Sequence, residues 1–158
     1  MIYTLILTLT AATLTVSTGW AKPTTSPSWE VSNPRVYLPS PGAKATAGYF
    51  ELKNTSHDKI TVELTEMKPF KHVETHETVK ENEQAKMIKV DRFEVAPTST
   101  LELAPGGKHL MLFEPQKPLK AGQKIKGSLK INGQTSIVEF NVIEREKKAT
   151  TEEHHHHH

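Results

Sequence analysis

Cysteine is absent from this chain of 158 residues. That absence excludes disulfide staples, thiolate metal sites, thiol redox chemistry and a lipidated N-terminal cysteine, so any metal must use other ligands. A dominant charge is lacking too: 20 Lys and Arg stand against 18 Asp and Glu, interspersed and without a basic cluster. Nucleic acid and anionic membranes are therefore not expected partners. Aromatic residues reach only 6% and hydrophobic residues 35%, a lean supply, yet above the depletion that keeps a chain disordered. The length allows one domain once the ends are set aside. No stretch carries a helical apolar period with caps, and there is no internal repeat.

The two ends read as something other than fold. Met1 to Val16 is apolar, Thr-rich and uncharged, and leads through Ser17-Thr18-Gly19-Trp20-Ala21 to Lys22-Pro23. Residues 1–21 thus read as a signal peptide, with Gly19 and Ala21 as the small residues before the cut, and imply export. The positive charge usual at the start of such a segment is missing. Retention as a membrane anchor is the alternative, opposed by a run that falls short of the ~20 strongly apolar residues of a span and is broken by threonines. Residues 22–28 form a Pro- and Ser/Thr-rich linker, and 146–158 a charged tail ending in a purification tag, His154 to His158. The domain is expected over 29–145.

Inside the domain the apolar period is two, as in Ala45 to Lys53, Ile60-x-Val62-x-Leu64, Leu101-x-Leu103, Ile125 to Ile131 and Ile137 to Val142. Turn material separates these runs, and Asn132-Gly133 predicts a two-residue hairpin joining Ile125–Ile131 to Gln134–Val142. About eight short strands are expected, which makes the chain an all-β, single-domain Greek-key sandwich or barrel.

With the tag set aside, the histidines are His57, His72, His76 and His109, and the methionines after Met1 are Met67, Met87 and Met111. A hairpin centred between Glu81 and Asn82 pairs His76 with Met87 across the ladder. His109 and Met111, two apart on one strand, point the same way. Their neighbours Leu110 and Leu112, with Ile88 and Val90 beside Met87, are the natural core residues, while Val73 and Val79 share the parity opposite to His76. His76, Met87, His109 and Met111 are therefore expected to face outward together. Thioether sulfur is a poor ligand for hard cations and a good one for Cu(I), which also accepts neutral imidazole. Such a set carries no charge and would hold Cu(I) less tenaciously than thiolates. The bland alternative is methionines filling core gaps and histidines solvated at the surface.

The spacing His76-x10-Met87-x21-His109-x-Met111 resembles the signature of the periplasmic copper chaperones called PCu(A)C. The flanking words His76-Glu77-Thr78, Leu103-Ala104-Pro105-Gly106-Gly107 and His109-Leu110-Met111-Leu112 are similar to that family as well, and the likeness runs from about Ser32 to Val142. The resemblance implies a cupredoxin-like fold, export to the periplasm, and one Cu(I) per domain at a solvent-accessible site. It further implies a monomer that is not an enzyme and that delivers copper towards the dinuclear copper centre of cytochrome c oxidase, its partners being the oxidase's copper subunit or a Sco-type thiol protein. Some relatives carry a Met- and His-rich extension that adds Cu(II) capacity. Here Glu144-Arg145-Glu146-Lys147-Lys148 leads to the tag, so Cu(II) is expected at the tag only.

Other residues are weaker candidates. His72 shares the His76 face two pairs further along the ladder, within reach as an auxiliary ligand only if the strand bends; Glu74 and Glu77 flank His76, placed either to orient its imidazole or merely to solvate the strand. His57 belongs to a turn and Met67 to the core or its rim, while Trp29 and Phe113 are placed either to cover a site or to pack. An oxidase or superoxide-handling enzyme would want more imidazoles than four, and a blue-copper carrier needs a cysteine. A copper-buffering protein and a metal-free envelope interaction module are the alternatives left.

Overall fold

Alternating apolar and polar residues fold into strands because successive side chains leave a strand on opposite faces, and one face can be buried. The computed structural model describes residues 27–82 and 84–145. The leader-like stretch, most of the linker, and the tail with its tag lie outside them. Ten strands follow in order: β1 (Trp29–Tyr37), β2 (Ala45–Asn54), β3 (Ile60–Met67), β4 (Phe70–Glu81), β5 (Gln84–Lys89), β6 (Phe93–Val95), β7 (Thr100–Leu103), β8 (Lys108–Pro115), β9 (Lys124–Ile131) and β10 (Gln134–Ile143). No helix occurs among the described residues. The all-β expectation holds, with two strands more than the eight anticipated.

The additional strands are β1 and β6. In β1 the pair Asn33-Pro34 interrupts the alternation: the register against β2 shifts between Ser32 and Arg35, and Asn33 takes a left-handed φ of 51°. A bulge of this kind adds a residue to one strand and hides its period in sequence. β6 has only three residues.

The strand order is β5-β4-β8-β2-β1-β10-β9-β3-β6, with β7 pairing β2 beyond the end of β8. All pairs are antiparallel except β1 with β10. Only Lys68 and Pro69 separate β3, near one end of that order, from β4, near the other, so the sheet curls over on itself around a single core. The β9–β10 hairpin is as expected: Ile131 pairs with Gln134 across Asn132 and Gly133, whose φ values are 48° and 81°.

The core takes Phe50 and Leu52 from β2, Leu110 and Leu112 from β8, Leu129 from β9, and Phe140 and Val142 from β10, all with at most 1% exposure. Each such side chain contributes about 1.5–3 kcal/mol by leaving water. In β8 the burial of Leu110 and Leu112 fixes which side chains lie on the other face of the sheet, namely His109, Met111 and Phe113.

Candidate metal centre

Three adjacent strands carry His76, Met87, His109 and Met111. β8 lies between β2 and β4, and β4 between β8 and β5. Val73 pairs with Leu112 and Thr75 with Leu110, which locks the β4–β8 register through the core face. On the opposite face that register sets His76 directly across from His109 and Glu74 across from Met111. The two imidazole rings are tilted by 45° with centroids 5.8 Å apart.

The β4–β5 hairpin corrects the anticipated pairing. Its turn lies one residue further on, with Glu81 paired to Gln84, so His76 faces Lys89 and Met87 faces Thr78. Asn82 occupies the left-handed corner at φ 49°. Asparagine tolerates that conformation better than glutamate, and a turn centred on Glu81 and Asn82 would have put Glu81 at the first corner. Met87 keeps the parity of His76 and stands on the diagonal from it, still within reach of a long side chain.

Each histidine has one nitrogen engaged and one left over. His109 Nδ1 lies 3.0 Å from the Gly107 carbonyl oxygen. A carbonyl only accepts, so Nδ1–H donates and Nε2 keeps its lone pair. His76 Nε2 lies 2.8 Å from a Glu74 carboxylate oxygen, to which it donates. His76 Nδ1 is then buried with its lone pair, and among the described residues it is the one buried side-chain nitrogen or oxygen without a hydrogen-bond partner. Such an orphan costs about 1–3 kcal/mol and calls for an explanation.

Glu74 is the charged hub beside it. Lys89 Nζ donates to its carboxylate at 2.8 Å and His72 Nε2 approaches at 3.0 Å. These bonds, from Lys89, then His72 and His76, hold the Glu74 carboxyl well below the usual range, at about 2. A carboxylate accepting the far N–H of an imidazole fixes the ring's tautomer and orientation and raises the basicity of the free nitrogen.

These four side chains share the face turned away from the core, though not as an open surface. His109 is buried at 8% exposure, His76 and Met111 are half-buried, and Met87 alone is open, at 60%. His109 lies on the interior strand β8, with the His76 ring of β4 directly beside its own. Ile88 is exposed rather than core, since every residue of the edge strand β5 is exposed; Val90 and Val73 pack against the core from its rim and Val79 is half-buried.

Met67 lies fully inside the core, His57 is exposed in its turn, and Trp29 packs against the core. Glu77 turns to Lys108 at 2.8 Å instead of to His76. His72 joins the site only through Glu74, its ring 5.6 Å from that of Phe113. Lys89 escaped the sequence reading; with the hairpin centred one residue later, it falls opposite His76.

No cluster of three or more His, Asp or Glu disposed around one point occurs among the described residues. What the register does bring to one face is two imidazoles and two thioethers, uncharged side chains of a kind that suits Cu(I) better than hard divalent cations.

Residues 29–142 match the family described as "Putative lipoprotein LpqE-like". A protein of Leifsonia xyli subsp. xyli (strain CTCB07), named "Putative lipoprotein Lxx21020", is 35% identical over 110 residues, which are 68% of this chain and 66% of that relative. The chain thus spans just under two-thirds of that relative's length. Among solved structures, the Cu(I) form of DR1885 from Deinococcus radiodurans is 26% identical with a TM-score of 0.57, over 81% of this chain and 83% of that one. The apo PCuAC domain from PmoF1 shares the fold, with a TM-score of 0.63 at 18% identity over 75% of this chain and 96% of that domain. The fold is the cupredoxin-like one of PCuAC domains. The chain belongs to the LpqE-like, PCuAC-type family.

Proposed function

We propose that this protein is a non-enzymatic carrier that binds one Cu(I) through His76, Met87, His109 and Met111. The observation that carries the reading is the buried, unpartnered Nδ1 of His76, whose ring lies beside that of His109, which also has a free nitrogen. Both tautomers are already set by acceptors outside the pair, so two lone pairs are available without rearranging a proton. Met111 on β8 and Met87 on β5 supply the soft donors on the same face. The relative solved in its Cu(I) form is consistent with this chemistry.

A neutral ligand set leaves the bound ion with its single positive charge, and Glu74, tied to His76, offsets part of it. Release would proceed by exchange. Met87, exposed on the edge strand, is the donor an incoming ligand can displace first, and a thiolate binds Cu(I) more strongly than a thioether does. Recipients of that chemistry are a Sco-type thiol protein or the copper subunit of cytochrome c oxidase, on the way to its dinuclear copper centre. The leader-like residues 1–21 and the lipoprotein name of the Leifsonia relative support a place in the cell envelope, in the periplasm.

Competition titration of the chain freed of His154–His158 against a Cu(I) chelator tests the site. One equivalent is expected, with affinity lost in the Met87→Leu/Met111→Leu double variant. Undiminished affinity in that variant would assign the metal to other residues. Transfer to a reduced thiol acceptor, followed by gel filtration and metal analysis, separates a carrier, which empties, from a buffering protein, which does not.

A further inference from the structure

We propose that Met87 is a peroxide modification site, at which oxygen transfer to its thioether disarms copper binding while leaving the fold intact. The proposal rests on the carrier reading for its consequence and on exposure for its selectivity.

Met67, Met87 and Met111 occupy three different environments. Met67 is fully buried, at 0% exposure, and pairs with Gly127 of β9. Met111 is half-buried on an interior strand between Ala47 of β2 and Glu74 of β4. Met87 is 60% exposed on β5, which ends the strand order and exposes every one of its residues. Reaction of a thioether with a dissolved oxidant follows access to the sulfur, so a peroxide meets Met87 first.

The step is a two-electron transfer. The Met87 sulfur lone pair attacks one peroxide oxygen and the O–O bond breaks. That oxygen stays on sulfur as the sulfoxide, and the other leaves as water once protonated. Sulfur is oxidised and the peroxide reduced. One of the two sulfur lone pairs is thereby tied up in the S–O bond and the other stays on an electron-poor sulfur, while the exposed donor becomes a hard sulfoxide oxygen, which suits Cu(I) poorly. Because the side chain already lies in solvent, the new polar group meets water rather than the core, unlike a sulfoxide at Met67. Loss of binding is thus separated from loss of fold, and enzymatic sulfoxide reduction can restore the site.

The experiment treats the tag-free apo chain with hydrogen peroxide, with and without Ag(I), a soft monovalent ion that does not cycle with peroxide. Oxidised peptides are located by mass spectrometry. One oxygen is expected at Met87 before Met111 and Met67, with slower uptake when Ag(I) is bound. The singly oxidised protein should keep its circular dichroism and lose at least about tenfold in Cu(I) affinity, matching Met87→Leu, and methionine sulfoxide reductase should recover it. Oxidation of Met111 as fast as Met87 would overturn the selectivity. Undiminished affinity after oxidation at Met87, with Met87→Leu impaired, would overturn the disarming while sparing the carrier reading. Undiminished affinity in Met87→Leu itself would overturn both.

Discussion

His76 on β4 and His109 on β8 are directly opposed across an antiparallel ladder, their ring centroids 5.8 Å apart. That juxtaposition is a by-product of core packing. Leu110 and Leu112 must face inward, Thr75 and Val73 pair with them, and the residues between are carried to the other side. A slip of one residue would bury the imidazoles and expose the leucines, so the hydrophobic face holds the register of the polar one.

The same division of faces predicts a fold that does not depend on a bound metal. The tag-free chain is expected to melt cooperatively in the presence of a copper chelator. Cu(I) should raise the midpoint only by mass action, about 2.7 kcal/mol at a hundredfold excess over its Kd. Thermal melts with chelator and with Cu(I) check this. Loss of the cooperative transition on chelation would show that the metal organises the core, as in a zinc finger.

The two methionines should separate binding from stability. Met87→Leu alters an exposed position and is expected to change stability by less than about 0.5 kcal/mol. Met111→Leu, half-buried, should cost under about 1.5 kcal/mol. Each is expected to weaken Cu(I) binding by more than about tenfold, a loss at least as large as those seen on removing outer-shell partners of metal ligands. Urea denaturation and chelator competition on the same samples give both numbers. A Met111→Leu variant that loses stability and keeps full Cu(I) affinity would mark Met111 as packing alone.

How much of this was legible in sequence follows from how local each signal is. Asn132-Gly133 encodes its hairpin in two residues, and the observed pairing of Ile131 with Gln134 agrees. The period of two likewise sorted Leu110 and Leu112 from His109 and Met111. The charged segment around the β4–β5 turn looks symmetrical and points to a turn one residue early, whereas the backbone is decided by which residue accepts a left-handed φ, and that is Asn82. His76 opposite His109 had no local signal at all, since strands distant in sequence pair through the core they share. For the same reason the burial of His109 and the role of Lys89 were out of reach, and Asn33-Pro34 hid β1 behind its bulge.

A change deep in the core offers the converse of the methionine variants. A Cβ on Gly127 of β9 would stand 2.9 Å from Met67 Cε and 2.9 Å from Phe140 Cε2. The thioether methyl can move aside, but the phenyl ring, itself at 0% exposure, cannot move without disturbing its neighbours. Gly127→Ala is therefore expected to destabilise by about 1–3 kcal/mol through overpacking. Cu(I) affinity should stay at the wild-type value, because β9 contributes nothing to the donor face. Denaturant midpoints and chelator competition test the pair, and a parallel loss of affinity would show that the site depends on core packing more widely than its three strands.

Glu74 should influence both the metal and the acid stability of the fold. Its carboxylate accepts from Lys89 and His72 at one oxygen and from His76 at the other, and Glu74→Gln keeps a carbonyl oxygen for His76 while removing the charge and turning an NH2 group towards both other donors. Cu(I) affinity is expected to fall by about 10–100-fold, the usual effect of losing an outer-shell partner. In the folded protein the carboxyl is held at about 2, against 4.5 for the ordinary side chain. A depressed value means that the unfolded chain takes up the proton first as pH falls. The stabilisation is thus fully present above pH 4.5 and is lost progressively towards pH 2. Wild-type denaturant midpoints should therefore drop across that interval, and the Glu74→Gln profile should be flatter there, starting lower at neutral pH and converging on wild type in acid. Parallel acid limbs for the two proteins would mean that the Glu74 contacts add nothing to the folded state, and with them would go the argument that this carboxylate holds the His76 ring in place.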